Sequence, residues 1–164
     1  YITNNGQSSS LLKLEKHKIF HPEVYVANTL VLKSKKGDTL IKAAKINMLD
    51  YNFLNLDIQG AELLALQGLE NNLKFIDYIY TEVNIGEVYK NCAKVYEIDK
   101  FLEKYEFERV EIAMTGWEWG DAFYIRKKLK KNMKIKKNIH NKLKKIKWIY
   151  LPLKMAYLKI RKYK

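Results

Sequence analysis

The spacing of apolar and polar residues changes along the chain, and the changes mark out its elements. Tyr1 to Ser10 is polar and rich in Asn and Ser, which reads as a loop, and Leu11 to Lys18 reads as a short turn of helix. Val24 to Lys33 carries β-branched and aromatic residues and predicts a strand. Lys35 to Asp38 reads as a turn, and Thr39 to Ile46 as a short helix with Asp38 as its N-cap. The stretch Asn52 to Glu70 organises the rest. Phe53 to Ile58 is short and mostly apolar, Gly60 marks a tight turn, and strong helix formers run from Ala61 to about Leu73. Phe75 to Val83 predicts the next strand. Val95 to Tyr105 is an amphipathic helix with Val95, Ile98, Phe101, Leu102 and Tyr105 on one face. Phe107 to Met114 alternates as a strand, and Ala122 to Arg126 predicts a last one. The loop between them, Thr115 to Gly120, is short enough for an antiparallel hairpin.

Strands alternating with helices indicate an α/β domain, and 164 residues suit one domain. A hydrophobic content of 48% is normal for a packed core and argues against global disorder. The single cysteine, Cys92, excludes a disulfide framework, and a partly buried structural thiol is the expectation for it. With no apolar stretch of 18 residues and no signal pattern, a cytoplasmic protein is expected. The net charge of +13 is unevenly placed. Residues 126–164 hold 17 of the 31 Lys and Arg and none of the 18 Asp and Glu, so residues 1–125 are net −4.

That asymmetry separates a body, residues 1–126, from a basic tail, residues 127–164. Leu129, Met133, Ile139, Leu143, Ile146 and Ile149 recur near helical spacing among lysines, which predicts a basic amphipathic helix over 127–149. Such a tail suits an anionic membrane surface, nucleic-acid backbone or plain solvent. Its interleaved Trp148, Tyr150 and Tyr157 favour the membrane interface, with the protein peripheral there; nucleic acid is the weaker alternative.

Candidate chemistry gathers at the ends of the two central strands. Ligands of open α/β sheets sit beyond the carboxyl ends of parallel strands, where Asp57, Gln59, Gly60 and Glu62 fall in the spacing D-x-Q-G-x-E. Glu82, followed by Asn84, closes the next strand. Parallel neighbours would bring Asp57 and Glu82 into one cleft, where like charges raise at least one pKa and make a usable general base. Pairing of these acids with lysines is the structural alternative. His17 and His21 could share a helix face, but Pro22 and the lack of a third ligand argue against a metal, and none is expected.

Four pieces in order resemble the FkbM family of S-adenosylmethionine-dependent methyltransferases. They are Asn4 to Leu12 with His17, the D-x-Q-G-x-E stretch, Tyr80 to Asn84 with Tyr89, and Gly116 to Lys127. The resemblance implies a partial Rossmann-like sheet with a closing hairpin, the last strand lying antiparallel beside the 76–83 strand. It implies S-adenosyl-L-methionine as cofactor and methyl transfer to a hydroxyl of a sugar or other polyhydroxylated small molecule, a glycan included. Asp57 and Glu82 would be catalytic. Asp57, Gln59, Gly60 and Glu62 would lie toward the cofactor. Ser9, Ser10, His17, Asn84 and Trp119 would contact the acceptor, since the first loop overhangs the active edge in that family. The family's Gly-rich turn is not seen; only Asn5-Gly6-Gln7 stands near the amino terminus, and the first residue is Tyr1. The expectation is the carboxyl-terminal part of an enzyme, inactive alone. The competing expectation is a non-catalytic basic scaffold that recruits membrane or nucleic acid.

Overall fold

The computed structural model describes residues 1–132. In chain order they form β1 (Ile2–Thr3), α1 (His17–Phe20), β2 (Val26–Asn28), α2 (Gly37–Ala43), β3 (Phe53–Leu56), α3 (Glu62–Gly68), β4 (Tyr78–Asn84), α4 (Val95–Glu103), β5 (Phe107–Met114), β6 (Trp119–Arg126) and α5 (Lys127–Asn132). The main sheet has the order β3-β4-β6-β5. β3 and β4 are parallel, with Phe53 opposite Tyr78 and Leu56 opposite Thr81. Between them runs the crossover through α3. β6 lies antiparallel between β4 and β5, closing the hairpin over Thr115 to Glu118. The parallel pair and the hairpin are where the periodicity put them. Among the described residues β3 pairs only with β4.

Alternation along β4 sorts its side chains. Ile79 and Val83 join Leu56, Ala122 and Tyr124 of the sheet in a core against Leu66, Leu73, Ile98 and Leu102. Each such buried aliphatic side chain contributes roughly 1.5–3 kcal/mol. Glu82 and Asn84 project from the opposite face of the same strand. A second cluster, Leu14, Val24, Val88, Tyr89 and Cys92, packs the amino-terminal segment onto the loop after β4. Cys92 is a free, buried thiol within it.

Several local expectations are corrected. The strand expected over 24–33 shrinks to β2, which pairs with β1 outside the main sheet, while Leu30, Val31 and Leu32 stay exposed. β-propensity makes no strand without a neighbour to bond. Residues 11–16 are not helical: Leu14 bridges Tyr89, and Glu15 N and His17 N both donate to Val88 O. Asp38 is not the N-cap of α2, a place taken by Lys36. Its carboxylate instead accepts from Asn71 N at 2.9 Å, Asn71 Nδ2 at 2.7 Å and Asn72 Nδ2 at 2.7 Å. Those bonds hold the carboxylate below its usual pKa range despite partial burial. α3 stops at Gly68, five residues short of the expected Leu73. Gly68 and Gly37 meet there, and a Cβ on Gly37 would lie 2.4 Å from Leu69 Cδ2. The expected helix over 127–149 is described only for α5; the remainder of the tail lies outside the described residues. No described helix is long and apolar enough to cross a membrane.

Candidate active site

Asp57 is the first residue beyond β3. The turn that follows has positive φ at Gln59 (59°) and Gly60 (94°). Two contacts impose it. Glu62, 1% exposed at the start of α3, accepts with Oε1 from Ile58 N (3.0 Å) and Gly60 N (3.1 Å). At Gly60 a Cβ would lie 3.0 Å from Tyr89 Cβ and 3.1 Å from Cys92 Cβ, so only glycine suits both the φ and the space. Glu62 thus braces the turn through the backbone.

This strained turn aims Gln59 along the sheet edge. Its Nε2 donates to Asp57 Oδ1 at 2.7 Å and to Glu82 Oε2 at 3.1 Å, while its Oε1 accepts from Tyr89 OH at 2.5 Å. The phenol on one side and two carboxyls on the other fix the amide's orientation. A left-handed non-glycine residue that serves such a network belongs to the strain found at functional sites.

Charge at this edge is one-sided. Glu82 is 6% exposed, and its pKa is pushed up to about 9, by burial first and then by Glu62, Asp57 and Asp121. A hydrogen bond to Asp57 also favours its protonated form. Burial raises Glu62 as well, and burial followed by Glu82 raises the Tyr89 phenol. Among the described residues no Lys or Arg ion-pairs with Asp57, Glu62 or Glu82. The structural alternative of lysine pairing is therefore not what these acids do in the described part. At neutral pH Glu82 keeps its proton, and Asp57 is the more exposed of the two carboxyls.

The amino-terminal segment crosses this edge. Ser10 Oγ donates to Gln59 O at 2.7 Å, while Ser9 Oγ accepts from Thr3 N at 3.1 Å and stays within its own loop. His17 is buried; its ring lies 5.6 Å from Tyr89 and 5.1 Å from His21. Burial and then His21 lower its pKa, and its Nδ1 has no hydrogen-bond partner among the described residues. Lys16 Nζ bonds Glu118 at 2.8 Å and straps the segment to the hairpin turn. Trp119 faces Asn84 across the β4–β6 pair and packs on the Leu14–Tyr89 cluster. Trp117, 47% exposed, rests on Phe20 (5.6 Å) and His21 (5.8 Å).

Asp57, Gln59 and Glu82 are thus joined directly, with Glu62 and Ser10 reaching the same turn through its backbone. His17 approaches through Tyr89, and Asn84 follows Glu82 by two residues. Ser9 is not brought to the network. The anchoring of Gln59 by Tyr89 and the Lys16–Glu118 strap escaped the sequence reading. A tyrosine in the aperiodic stretch Gly86 to Cys92 gives no local signal of what its hydroxyl meets.

Residues 5–109 match the family model described as a methyltransferase FkbM domain. No curated protein and no solved structure gave a match.

Proposed function

The chain belongs to the FkbM methyltransferase family, and on that premise we propose an O-methyltransferase that uses S-adenosylmethionine and acts on a hydroxyl of a sugar or another polyhydroxylated small molecule. When bound, S-adenosylmethionine supplies an electrophilic methyl group on a positively charged sulfur. The residues present fit that charge. Asp57, Glu62 and Glu82 gather at one edge with no described cation paired to them, so a positive neighbour is favourable there. The turn Asp57-Ile58-Gln59-Gly60, braced by Glu62, is the part of the described chain best suited to face the donor. No described strand is followed by a Gly-rich turn, and among the described residues β3 pairs on one side only. On this reading the described sheet is the acceptor-side part of a doubly wound, Rossmann-like sheet, and the adenosine cradle is not among the described residues.

The observation that carries the proposal is the pair of carboxyls held by one amide at the carboxyl ends of two parallel strands. Methyl transfer asks the protein to align the acceptor oxygen and to take its proton. Glu82 retains its own proton at neutral pH, so the base is Asp57, oriented by Gln59 at 2.7 Å. Glu82 then stands as a hydrogen-bond donor toward Asp57 or the acceptor. Ser9, Ser10, His17, Asn84 and Trp119 belong to the acceptor side on this reading, Ser9 through its hold on the loop that carries Ser10.

The test is Asp57→Asn and Asp57→Ala in the full-length protein, with thermal denaturation as a control for folding. Loss of the base is expected to lower kcat by about 100-fold or more. Unchanged turnover of the true acceptor in both variants would refute the role of Asp57.

A further inference from the structure

The segment that joins β2 to α2 turns apolar side chains outward. Residues 29–36 form no helix or strand and are all exposed. Leu30, Val31 and Leu32 are 53%, 98% and 78% exposed and belong to neither core cluster. Single apolar residues on a surface are ordinary, but three in succession serve folding poorly and point to a function. The exposure is not that of a loose end. Asn28, just before the segment, pairs with Ile2 across the β1–β2 ladder, and Gly37, just after it, packs on Gly68 and Leu69. Two fixed ends therefore hold three aliphatic side chains in water.

Charge selects what can cover them. Lys33, Lys35 and Lys36 follow directly and are exposed as well, and no acid lies between Glu23 and Asp38. Asp38 is itself occupied by Asn71 and Asn72. An aliphatic run beside a group of cations is the composition of a lipid interface: the apolar side chains enter the acyl boundary while the ammonium groups stay with the phosphates. A polynucleotide would use the lysines but gain nothing from Leu30, Val31 and Leu32. Residues 29–36 also hold no aromatic ring on which a base could stack. An acidic protein face would neutralise the lysines without removing the aliphatic run from water.

We propose that residues 29–36 are a membrane-contacting segment of the body. Leu30, Val31 and Leu32 insert at the surface of an anionic phospholipid bilayer, and Lys33, Lys35 and Lys36 bind its headgroup phosphates. Three side chains alone give only marginal attachment, because stable anchoring takes two signals. The segment therefore works together with a second signal such as the basic run after Arg126. It does not depend on the reaction assigned to the Asp57–Glu82 edge.

The experiment places a reporter within the segment of the full chain. Val31→Cys is labelled with an environment-sensitive nitrobenzoxadiazole group; the wild type, whose one thiol at Cys92 is buried, gives the background. Phosphatidylglycerol vesicles are expected to shift the emission to the blue and strengthen it. Phosphatidylcholine vesicles should leave it unchanged, and added salt should reverse the shift. Changing Leu30, Val31 and Leu32 together to Ser should weaken binding to the anionic vesicles by about tenfold or more, with Tm unchanged because none of the three joins a core cluster. A label that stays in water while the protein binds vesicles would mean that another part of the chain carries the attachment, and would overturn the proposal. So would vesicle affinity untouched by the serine changes, a Tm lowered by several degrees in that variant, or a blue shift produced by single-stranded DNA and not by vesicles.

Discussion

At the scale of single residues, the edge of the sheet stores energy that the fold does not need. Glu82 holds its proton up to about pH 9, whereas in the unfolded chain it loses it near the ordinary value of 4.5. Below that value both states are protonated and nothing is lost. Between the two values the native state binds more protons, so stability falls as pH rises. Glu82→Gln removes the share of that dependence that Glu82 carries, while Glu62, raised by burial as well, keeps its own. The variant's urea midpoint should be flatter than that of the wild type from pH 5 to 9, with a gain at pH 7 on the order of 3 kcal/mol. A wild-type midpoint that rises over this range would show that Glu82 is ionised in the fold. Gly60 acts in the other direction. Its φ of 94° and the 3.0 Å approach of Tyr89 to any Cβ make Gly60→Ala destabilising by about 1–3 kcal/mol, readable by thermal denaturation. That variant should also disturb the Tyr89–Gln59 bond, since the same turn sets both.

Among the elements, one guanidinium adds to the β4–β6 ladder that joins the hairpin to the rest of the sheet. Arg126, the last residue of β6, donates Nε to Ile76 O at 2.9 Å, Nη1 to Tyr105 O at 3.1 Å and Nη2 to Ile76 O at 2.6 Å, with Leu73 O bonded as well. Its face covers the Phe107 ring at 4.5 Å. The bonds reach the turn before β4 and the turn before β5, so one side chain sets where β4 and β5 begin. Arg126→Met leaves these carbonyls without their donor and is expected to cost about 2–4 kcal/mol. Arg126→Lys should recover only part of this, because an ammonium lacks the planar fork that serves several carbonyls at once. Chemical denaturation of the pair decides; full rescue by lysine would mean that charge alone matters. A comparable link joins α2 to the turn after α3 through Asp38. It has no local signature, because its partners Asn71 and Asn72 lie 33 and 34 residues away.

For the whole molecule, charge and site divide along the chain. The body is net acidic and carries the candidate chemistry; residues 126–164 carry 17 cations and no acid. We propose that this tail holds the enzyme at an anionic membrane, each Lys near the surface contributing on the order of 1 kcal/mol. Anionic vesicles should bind the full chain, neutral ones weakly, with binding lost as salt rises. Replacing Leu129, Met133, Leu143 and Ile146 by Ser should abolish vesicle binding and spare binding to nucleic-acid backbone. Vesicle binding that survives those changes would sink the apolar part of the proposal. What the sequence determined by itself is the α/β class, the parallel strands near 53 and 78, the hairpin, and the acids at the strand ends. Those features depend on residues a few positions apart, through side-chain alternation, helix formers and a short loop. Only the tertiary structure decided that Gln59 joins Asp57 to Glu82, because Glu82 lies 23 residues away and Tyr89, which orients the amide, lies 30 away. It also decided that Glu82 is protonated and that Asn84 is buried, since desolvation is the work of the whole surrounding fold. Tertiary structure likewise limits the strand expected over 24–33 to β2: its residues favour extension, but only a neighbouring strand supplies the hydrogen bonds.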